Sequence, residues 1–428
     1  MLPTTPYRGT RDFLPPEMSV RQQIFGTMFD AVERYGYTRY DGPILESAEI
    51  YEAKSGQEIA DQQLYSLTDR GGRRLALRPE MTPSVARMIA GNVNSLQLPV
   101  RWYSHVNCHR YERPQRGRLR EHWQLNVDIF GSDNVACEIE IFEVIHEVMS
   151  SLGATRDMWV LRAGDRAVLD SILRDVAKIP QDLVPRTMSL IDRWEKMPRE
   201  KLRAEAEEFG MEGPRFDELA EILASGSEVL SRLPEDVREG SPLVQMMDGD
   251  AKDLFVFDPL IVRGLQYYTS TVFEVFDLSP ENNRSLFGGG RYSDLAGLFT
   301  TQRIPGIGFG MGDVTLADFL ETHGLLPEPR TQVDAAVIPV TEELFPAARE
   351  VAWLLRQSSV RVSTPLELRK LGKELTRADR SGARFAVIVG DEEWQDRRVV
   401  LRDLAHQQQE LIAIEELPAR LITLHHEA

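Results

Sequence analysis

Five arginines lie within residues 110–120, in the stretch RYERPQRGRLREHWQ. The chain around them is acidic, with 50 Lys and Arg against 67 Asp and Glu and a formal net charge of −17. Guanidinium groups this close repel one another unless an anion lies between them, and each can bind phosphate through two parallel hydrogen bonds. The cluster therefore indicates a phosphorylated or nucleotide ligand, unless these arginines only face solvent.

From residue 116 onward the sequence alternates as in a β-strand, with polar even positions to 128 and mostly apolar odd positions from 119. The even positions carry Arg116, Arg118, Arg120, His122, Gln124, Asn126 and Asp128. Successive side chains of a strand point to opposite faces, so we predict one buried face and one polar face. Pro114 and Gly117 predict a loop that joins this strand to the preceding run, WYSHVNCHRYE, as a hairpin. The polar face suits either solvent or a ligand that is anionic at the arginine end.

Residues 306–312, in the stretch PGIGFGMGD, alternate glycine with apolar residues. In a strand this pattern gives one face without side chains and one apolar face. A flat ring such as adenine could lie against the bare face, or a neighbouring helix could pack closely there.

The stretch HVNCH combines His105, Cys108 and His109, three potential metal ligands. On a strand the two histidines share one face while the cysteine points to the other, which strains coordination by all three. We therefore expect packing or hydrogen-bonding roles for these residues and no protein-built metal site.

The composition is that of an ordinary globular protein, with 42% hydrophobic and 27% charged residues over 428 positions. The stretch MLPTTPYRGTRDF has no apolar signal-peptide core, and no later stretch approaches the ~20 apolar residues of a membrane helix. Cys108 and Cys137 are too few for a disulfide framework. We therefore expect a cytoplasmic protein. The acidic balance disfavours non-specific coating of nucleic acid but allows local basic patches.

Helix, strand and loop signals divide the chain into regions, for which we predict boundaries of 1–164, 165–245, 246–326 and 332–428. Phe25, Met28, Phe29 and Val32 recur at helical spacing before Gly36 and predict an early amphipathic helix. The second region is rich in Glu, Arg, Leu and Ala, which indicates short helices inserted into a domain whose strand signals resume afterwards. Beyond a linker-like PEPRTQ, alternating strands and helices predict a small α/β domain with a parallel or mixed sheet.

Together these motifs resemble those of the histidyl-tRNA synthetases, a family of class II aminoacyl-tRNA synthetases. RYERPQRGRLREHWQLNVDIFG resembles motif 2 of that class, and PGIGFGMGD resembles motif 3. Other matches follow in the family's order: RGTRDFLPPE (the N-terminal signature), LRPEMTPSVAR (the amino-acid-binding segment), VRGLQYYTSTVFE and GGGRYSDL (the two histidine motifs), and residues 332–428 (the anticodon-binding domain).

The resemblance implies a fold and an assembly. The fold is an α+β catalytic core with an antiparallel sheet, a helical insertion and a C-terminal α/β anticodon-binding domain. The early helix and the strand up to Pro43 resemble motif 1, which implies a homodimer.

The resemblance also implies ligation of histidine to its tRNA, with ATP as substrate and Mg²⁺. Histidine attacks the α-phosphate of ATP to give histidyl-adenylate, and the histidyl group then passes to the tRNA. Because two anions meet in the first step, positive charge must stabilise the transition state. Arg110 and Arg263 match the catalytic arginines; an ion pair of Arg110 with Glu112 or Glu121 is the alternative.

Further site residues follow from the same resemblance. The matches to histidine-binding positions are Glu80, Thr82, Gln124, Asp128, Tyr268 and Tyr292. The matches to ATP-binding positions are Arg110, Glu112, Gly308, Gly310 and Gly312. Gln115 and Arg120 match positions that approach the acceptor end of the tRNA.

The sequence departs from the family at motif 3. Members usually follow this strand with Glu-Arg, and the arginine contacts ATP, whereas this chain has Val314 and Thr315. The missing charge-assisted hydrogen bond is worth about 1.5–3 kcal/mol, and the sequence names no cation in its place. Smaller departures are Gln266, Ser270 and Ser293, where Asp, Gly and Asp are common.

In LELRKLGKELTRADR, Arg369, Lys373, Arg377 and Arg380 recur at spacings of 4, 4 and 3 residues, which predicts four positive charges on one helical face. A solvated face with local ion pairs is the alternative. Like charges stacked at this spacing are mildly destabilising alone, and a phosphate backbone along them would remove that cost. We therefore expect Arg377 and Arg380 to bind tRNA.

Two non-catalytic functions compete with the synthetase. Some proteins with this core are regulatory subunits of ATP phosphoribosyltransferase that bind histidine, but they typically lack the C-terminal domain and erode the arginine motifs. The other is an RNA sensor that does not activate histidine. Arg110, Arg263 and the anticodon-binding region favour the enzyme, while Thr315 favours the regulatory subunit.

Overall fold

The computed structural model describes residues 2–53, 63–261, 268–282, 284–292, 295–330 and 333–426. The chain forms two compact units, Met1–Asp12 with Gln23–Pro327, and Phe13–Gln22 with Glu328–Ala428. Within the described ranges, no helix has the length and apolar character needed to cross a membrane.

The first third of the chain contains the predicted early helix and the predicted hairpin. Its elements are α1 (Pro15–Glu33), β1 (Thr38–Arg39), β2 (Leu45–Ser47), α2 (Ala48–Glu52), β3 (Ser66–Thr68), β4 (Arg74–Leu77), α3 (Thr82–Asn92), β5 (Val100–His109), β6 (Glu121–Phe130) and α4 (Ala136–Ser151). Met28 and Val32 are buried, as their spacing in α1 predicts. Gly36 follows α1 with a φ of +79°, a conformation that favours glycine.

The middle of the chain is mainly helical between two strands. Its elements are β7 (Trp159–Asp165), α5 (Arg166–Ser171) with a π-helical turn (Ile172–Val176), α6 (Val184–Ile191), α7 (Arg199–Glu208), α8 (Gly213–Ala224) with a 3₁₀ helix (Gly226–Arg232), α9 (Glu235–Gly240), α10 (Pro242–Asp248), a 3₁₀ turn (Lys252–Leu254) and β8 (Val256–Phe257). Asp165 caps α5, since its side chain accepts hydrogen bonds from the backbone N–H groups of Ala167 and Val168.

The strands that follow complete a large sheet. They are β9 (Thr271–Asp277), β10 (Ser285–Tyr292) and β11 (Gly306–Gly312), followed by α11 (Asp313–Thr322), with a 3₁₀ turn at Ala296–Leu298. Among the described residues eight strands pair in the order β1-β5-β6-β11-β10-β9-β7-β8. The six strands from β5 to β7 are antiparallel neighbours, and the edge strands β1 and β8 are parallel to theirs. At its centre β6 therefore lies beside β11, although the two strands are far apart in sequence, and β10 follows β11.

The second unit has a mixed sheet. Its elements are β12 (Ala335–Pro339), a 3₁₀ turn (Glu342–Leu344), α12 (Phe345–Gln357), β13 (Val362–Ser363), α13 (Leu371–Arg380), β14 (Phe385–Val389), α14 (Asp391–Gln395), β15 (Arg398–Asp403), β16 (Gln408–Ala413) and α15 (Leu417–His426). The strand order is β13-β12-β14-β15-β16, parallel among the first three and antiparallel among the last three. Its core joins α12 to the sheet through residues such as Val337, Val351 and Val387.

Two predicted element boundaries are wrong. The strand expected from residue 116 begins only at Glu121, because residues 115–118 form a turn in which Gln115 and Arg118 exchange backbone hydrogen bonds and Gly117 has a φ of +73°. The helical face expected from Arg369 begins only at Leu371, because Lys370 is the N-cap with a ψ of 135°. Arg369 therefore precedes α13 and does not share its face.

Candidate active site

A cavity of about 850 Å³ opens beside the central strands β6, β10 and β11. The structure brings many of the predicted site residues into its lining. They are Glu80, Thr82, Arg110, Glu112, Gln115, Gln124, Asp128, Tyr268, Tyr292, Gly308, Gly310 and Gly312. Because β6 and β11 are neighbours, motifs that lie about 180 residues apart meet at one place.

Asp128, one of the acids that line this cavity, is only 2% exposed. The hydroxyl of Tyr292, itself 1% exposed, donates to its Oδ1 at 2.5 Å. The other oxygen, Oδ2, is buried and accepts no hydrogen bond from the residues that the structure describes. Burial raises the pKa of Asp128 to about 7, although the hydrogen bond from Tyr292 lowers it. The site thus offers an unsatisfied acceptor to a polar group of a ligand.

The glycines of β11 make room for side chains of the neighbouring strands. A Cβ atom on Gly308 would lie 2.3 Å from Asp128 Oδ1, and one on Gly310 would lie 1.9 Å from Gln124 Nε2. A Cβ atom on Gly306 would lie 2.3 Å from the ring of Tyr292. The space beside these glycines therefore holds side chains of β6 and β10.

Arg110 follows β5 and donates from Nε to the backbone oxygen of Pro79 at 2.9 Å. This bond fixes the guanidinium next to the segment that carries the buried Glu80. The two acids that could have paired with Arg110 have other partners. Glu112 Oε2 lies 2.9 Å from Arg118 Nε, and Glu121 Oε1 accepts a hydrogen bond from Asn107 Nδ2. Among the described residues Arg110 forms no ion pair, so its positive charge is available to an anion in the cavity.

His122 also lines the cavity and was missed by the sequence reasoning. Burial and the nearby Arg110 lower the pKa of His122 to about 3, so its imidazole is neutral near pH 7. Its even position, on the same strand face as Gln124 and Asp128, was the signal that could have identified it. Lys196 and Arg284 line the cavity as well, and no motif linked them to it.

An acidic residue at the start of α11 joins the N-terminal signature to motif 2. Asp313 Oδ2 lies 2.8 Å from Arg11 Nη2, and its Oδ1 accepts from the backbone N–H of Trp123 at 2.8 Å. These bonds fix the beginning of β6 against the end of β11, where the cavity opens.

The sequence model of the histidyl-tRNA synthetase family matches residues 9–314 of the chain. The chain belongs to the histidyl-tRNA synthetase family. A second model, of an anticodon binding domain, matches residues 334–424. The family that the motifs predict is therefore confirmed.

Known relatives and a solved structure support the same family. The histidine–tRNA ligase of Leptospira biflexa is 37% identical over 414 residues, 95% of each chain. The chloroplastic/mitochondrial histidine–tRNA ligase of Arabidopsis thaliana is 35% identical over 418 residues, 96% of this chain and 85% of that protein. The crystal structure of histidyl-tRNA synthetase from Nostoc sp. PCC 7120 matches with a TM-score of 0.81 at 26% identity, over 99% of this chain and 100% of that one. The predicted fold class is confirmed.

Three other predicted site residues, Arg120, Arg377 and Arg380, are not part of the cavity lining. Arg120 donates from Nε to the backbone oxygen of Glu112 at 3.0 Å, hydrogen-bonds to the hydroxyl of Tyr7 and lies over the ring of Tyr111. Arg377 and Arg380 are exposed on α13 of the second unit. Arg263 lies outside the described residues, as do Gln266 and Ser293.

The stretch HVNCH packs as the sequence predicts. The ring of His105 lies 4.0 Å from that of Phe25 and 5.1 Å from that of Trp123, centroid to centroid. Cys108 is fully buried, and burial raises the pKa of its thiol to about 12. A thiol with this pKa stays protonated near neutral pH and is a poor metal ligand.

Proposed function

We propose that this protein ligates histidine to its tRNA, with ATP consumed and histidyl-adenylate formed on the way. The observation that carries the proposal is the buried Asp128 in the cavity lining, with one oxygen bound by Tyr292 and the other without a partner among the described residues. An imidazole N–H can donate to that oxygen, whereas an aliphatic side chain would leave it unpaired. A buried unpaired acceptor rejects such analogues strongly.

The rest of the histidine molecule fits the polar lining near Asp128. We infer that Tyr268 and Tyr292 assist in binding the imidazole. Glu80, Thr82 and Gln124 supply acceptors for the α-ammonium group. Glu80 is 2% exposed, so its carboxylate is held in a surrounding of low dielectric, where attraction to an ammonium group is strong.

The adenylation step joins two anions. A carboxylate oxygen of histidine attacks the α-phosphorus of ATP, a P–O bond forms, and the bond to the leaving pyrophosphate breaks. Arg110 is oriented by Pro79 and forms no ion pair with the described residues, so we propose that it stabilises the charge that develops on the α-phosphate. Arg263 is proposed as the second catalytic arginine. Glu112, Gly308, Gly310 and Gly312 contribute to the ATP site.

Mg²⁺ fits the donor set of the cavity. This ion usually binds one or two carboxylates together with substrate phosphates and keeps several waters. Glu112 and Glu274 line the cavity, and within the described part of the chain no cluster of His, Cys, Asp and Glu could hold a metal alone. These carboxylates would hold Mg²⁺ beside the ATP phosphates, where the ion would neutralise phosphate charge.

We further propose which residues contact the tRNA and that the protein forms a homodimer. Gln115 and Arg120 contact the acceptor end, and Arg377 and Arg380 contact the anticodon side. Residues 165–245 act as a helical insertion between the two parts of the core, 1–164 and 246–326. The active form is a cytoplasmic homodimer, and light scattering at micromolar concentration should give twice the chain mass of 48.6 kDa; a monomer alone would contradict this.

The direct test is histidine-dependent ATP–pyrophosphate exchange by the purified protein with Mg²⁺. We expect exchange by the wild type and a loss of about 10²–10³-fold in kcat for Arg110→Ala, the effect of removing one donor to a developing negative charge. Arg113→Ala is the matched control, because Arg113 is exposed nearby and does not line the cavity. A folded wild type without exchange would refute the enzyme and favour a histidine-binding regulatory subunit.

A further inference from the structure

Thr315 does not itself replace the arginine that usually follows motif 3. It lies in the first turn of α11 and lines the cavity, and its hydroxyl donates to the backbone oxygen of Leu286 at 2.5 Å. A second cavity of about 290 Å³ adjoins this point. The two cavities share the residues Gln115, Gly117, Arg284, Ser285 and Thr315. The space that an arginine side chain would occupy is thus partly open.

Arg284 lines both cavities. It immediately precedes β10 and lies two residues from Leu286, the partner of Thr315. Its side chain is exposed, and with the residues that the structure describes it forms no hydrogen bond and no ion pair. In a chain with a net charge of −17, a guanidinium group without an acidic partner at a cavity wall is available to an anionic ligand.

The other cations of the larger cavity are less suited to this role. Arg118 Nε lies 2.9 Å from Glu112 Oε2, so Arg118 already forms an ion pair. Lys196 lines only the larger cavity and not the space behind Thr315. Arg110 lies beside Glu80 and Thr82, at the end proposed for the histidine and the α-phosphate.

We propose that Arg284 binds the β- and γ-phosphates of ATP and supplies the positive charge that Thr315 cannot. This inference rests on the proposed adenylation reaction. The reacting α-phosphate has to lie near Arg110, so the terminal phosphates extend away from it, and Arg284 is the unpaired guanidinium at the part of the cavity formed by Gln115, Gly117 and Thr315. A guanidinium group matches two phosphate oxygens in one plane.

The first experiment compares Arg284→Ala with the wild type in histidine-dependent ATP–pyrophosphate exchange. We expect the KM for ATP to rise about tenfold or more, as for loss of a charge-assisted hydrogen bond, while the KM for histidine stays within about twofold. Inhibition of exchange by AMP, which lacks the terminal phosphates, should keep its wild-type inhibition constant. Equal weakening of ATP and AMP would overturn the assignment to the terminal phosphates.

Two comparison variants show whether the effect is specific. Arg232→Ala removes an exposed arginine outside both cavities and should leave the KM for ATP unchanged. Lys196→Ala should change the KM for ATP less than Arg284→Ala does. An ATP defect in Lys196→Ala together with a wild-type KM in Arg284→Ala would overturn the proposal.

The decisive variant combines Arg284→Ala with Thr315→Arg. It returns a guanidinium group to the same space from α11 instead of from the residue before β10, and we expect it to recover most of the lost ATP affinity. Failure of the double variant to improve on Arg284→Ala, with circular dichroism as in the wild type, would count against a shared site. No exchange by the wild type would refute the proposed function; exchange with a wild-type KM for ATP in Arg284→Ala would refute this inference alone.

Discussion

The two carboxylate oxygens of Asp128 have different surroundings. One is bound by Tyr292, and the other is buried without a partner among the described residues. Because burial disfavours the charged form, the pKa of this carboxyl rises to about 7. The ionisation of Asp128 therefore changes within the range in which the reaction would be assayed, and a bound imidazole would favour the ionised form.

We predict that the KM for histidine in pyrophosphate exchange rises as the pH falls below about 7. A folded pKa of about 7 means that Asp128 is mostly ionised above this pH and protonated below it, where it is a poor acceptor for an imidazole N–H. Asp128→Asn should raise the KM for histidine and should remove the part of its pH dependence that comes from Asp128. The imidazole of free histidine titrates equally in assays of the wild type and of Asp128→Asn. The difference between their two curves of KM for histidine against pH therefore isolates Asp128. Parallel curves would contradict the prediction.

The sequence predicted which residues of β6 share the polar face, but not their partners. Alternation alone relates Gln124 to Asp128, since it depends only on strand geometry. The bond from Tyr292 joins residues 164 positions apart, and no local pattern predicts such a contact. Alternation also did not predict the surroundings of Arg120, because its hydrogen bond to Tyr7 depends on an N-terminal segment that no pattern related to motif 2.

At the scale of elements, the site depends on the register between β10, β11 and β6. Gly308 lies opposite both Gly290 on one side and Asp128 on the other. Gly310 lies opposite Gly288 in the same way. Glycine on two adjacent strands leaves a depression in the sheet, and the side chains of β6 project into it.

We predict that Gly308→Ala destabilises the protein by about 1–3 kcal/mol, as overpacking does in a well-packed core. Its Cβ atom would lie 2.3 Å from Asp128 Oδ1 and 2.5 Å from the backbone oxygen of Val127. The KM for histidine should rise as well, because Asp128 must move. Urea unfolding and pyrophosphate exchange measure the two effects.

Gly91→Ala is the matched control for this substitution. Gly91 lies in α3, and an added Cβ atom there would have no described residue outside its own helix turn within 4 Å. Alanine favours a helix over glycine by about 1 kcal/mol, so this variant should be at least as stable as the wild type. Equal stability and equal KM for Gly308→Ala and the wild type would show that the sheet adapts to the extra carbon.

The elements with strong periodicity were predicted best. The early helix and the hairpin of β5 and β6 are present, since long apolar patterns specify them. The start of α13 was wrong because the spacing of Arg369, Lys373 and Arg377 does not report the backbone of Lys370. The spacing of charged residues can extend beyond the first residue of a helix, because the backbone angles φ and ψ determine where the helix begins.

At the scale of the whole molecule, a strongly acidic chain has to attract a polyanion. Its formal net charge of −17 repels RNA at long range, so binding requires local clusters of positive charge. In the second unit Lys373, Arg377 and Arg380 are exposed on α13, while Glu374 is 4% exposed and lies 3.7 Å from Arg377. One buried acid thus offsets part of this cluster, and the remaining charge faces solvent.

We predict that reversing charge at Arg377 and Arg380 weakens tRNA binding without affecting adenylation. Arg377→Glu with Arg380→Glu should lower tRNA affinity, and the slope of log K against log salt should become shallower by about 0.9 for each phosphate that the variant no longer binds. Pyrophosphate exchange needs no tRNA, so its rate should remain that of the wild type.

The control is a second double reversal in the same unit, Arg349→Glu with Arg398→Glu. Both residues are exposed, Arg349 on α12 and Arg398 on β15, so the net charge changes equally while α13 stays intact. Long-range repulsion alone would weaken tRNA binding to the same degree in both variants, whereas direct binding of phosphate along α13 would weaken it much more in the first. Equal affinities and equal salt slopes would mean that α13 is a solvated face, and that tRNA reaches this acidic protein by another surface.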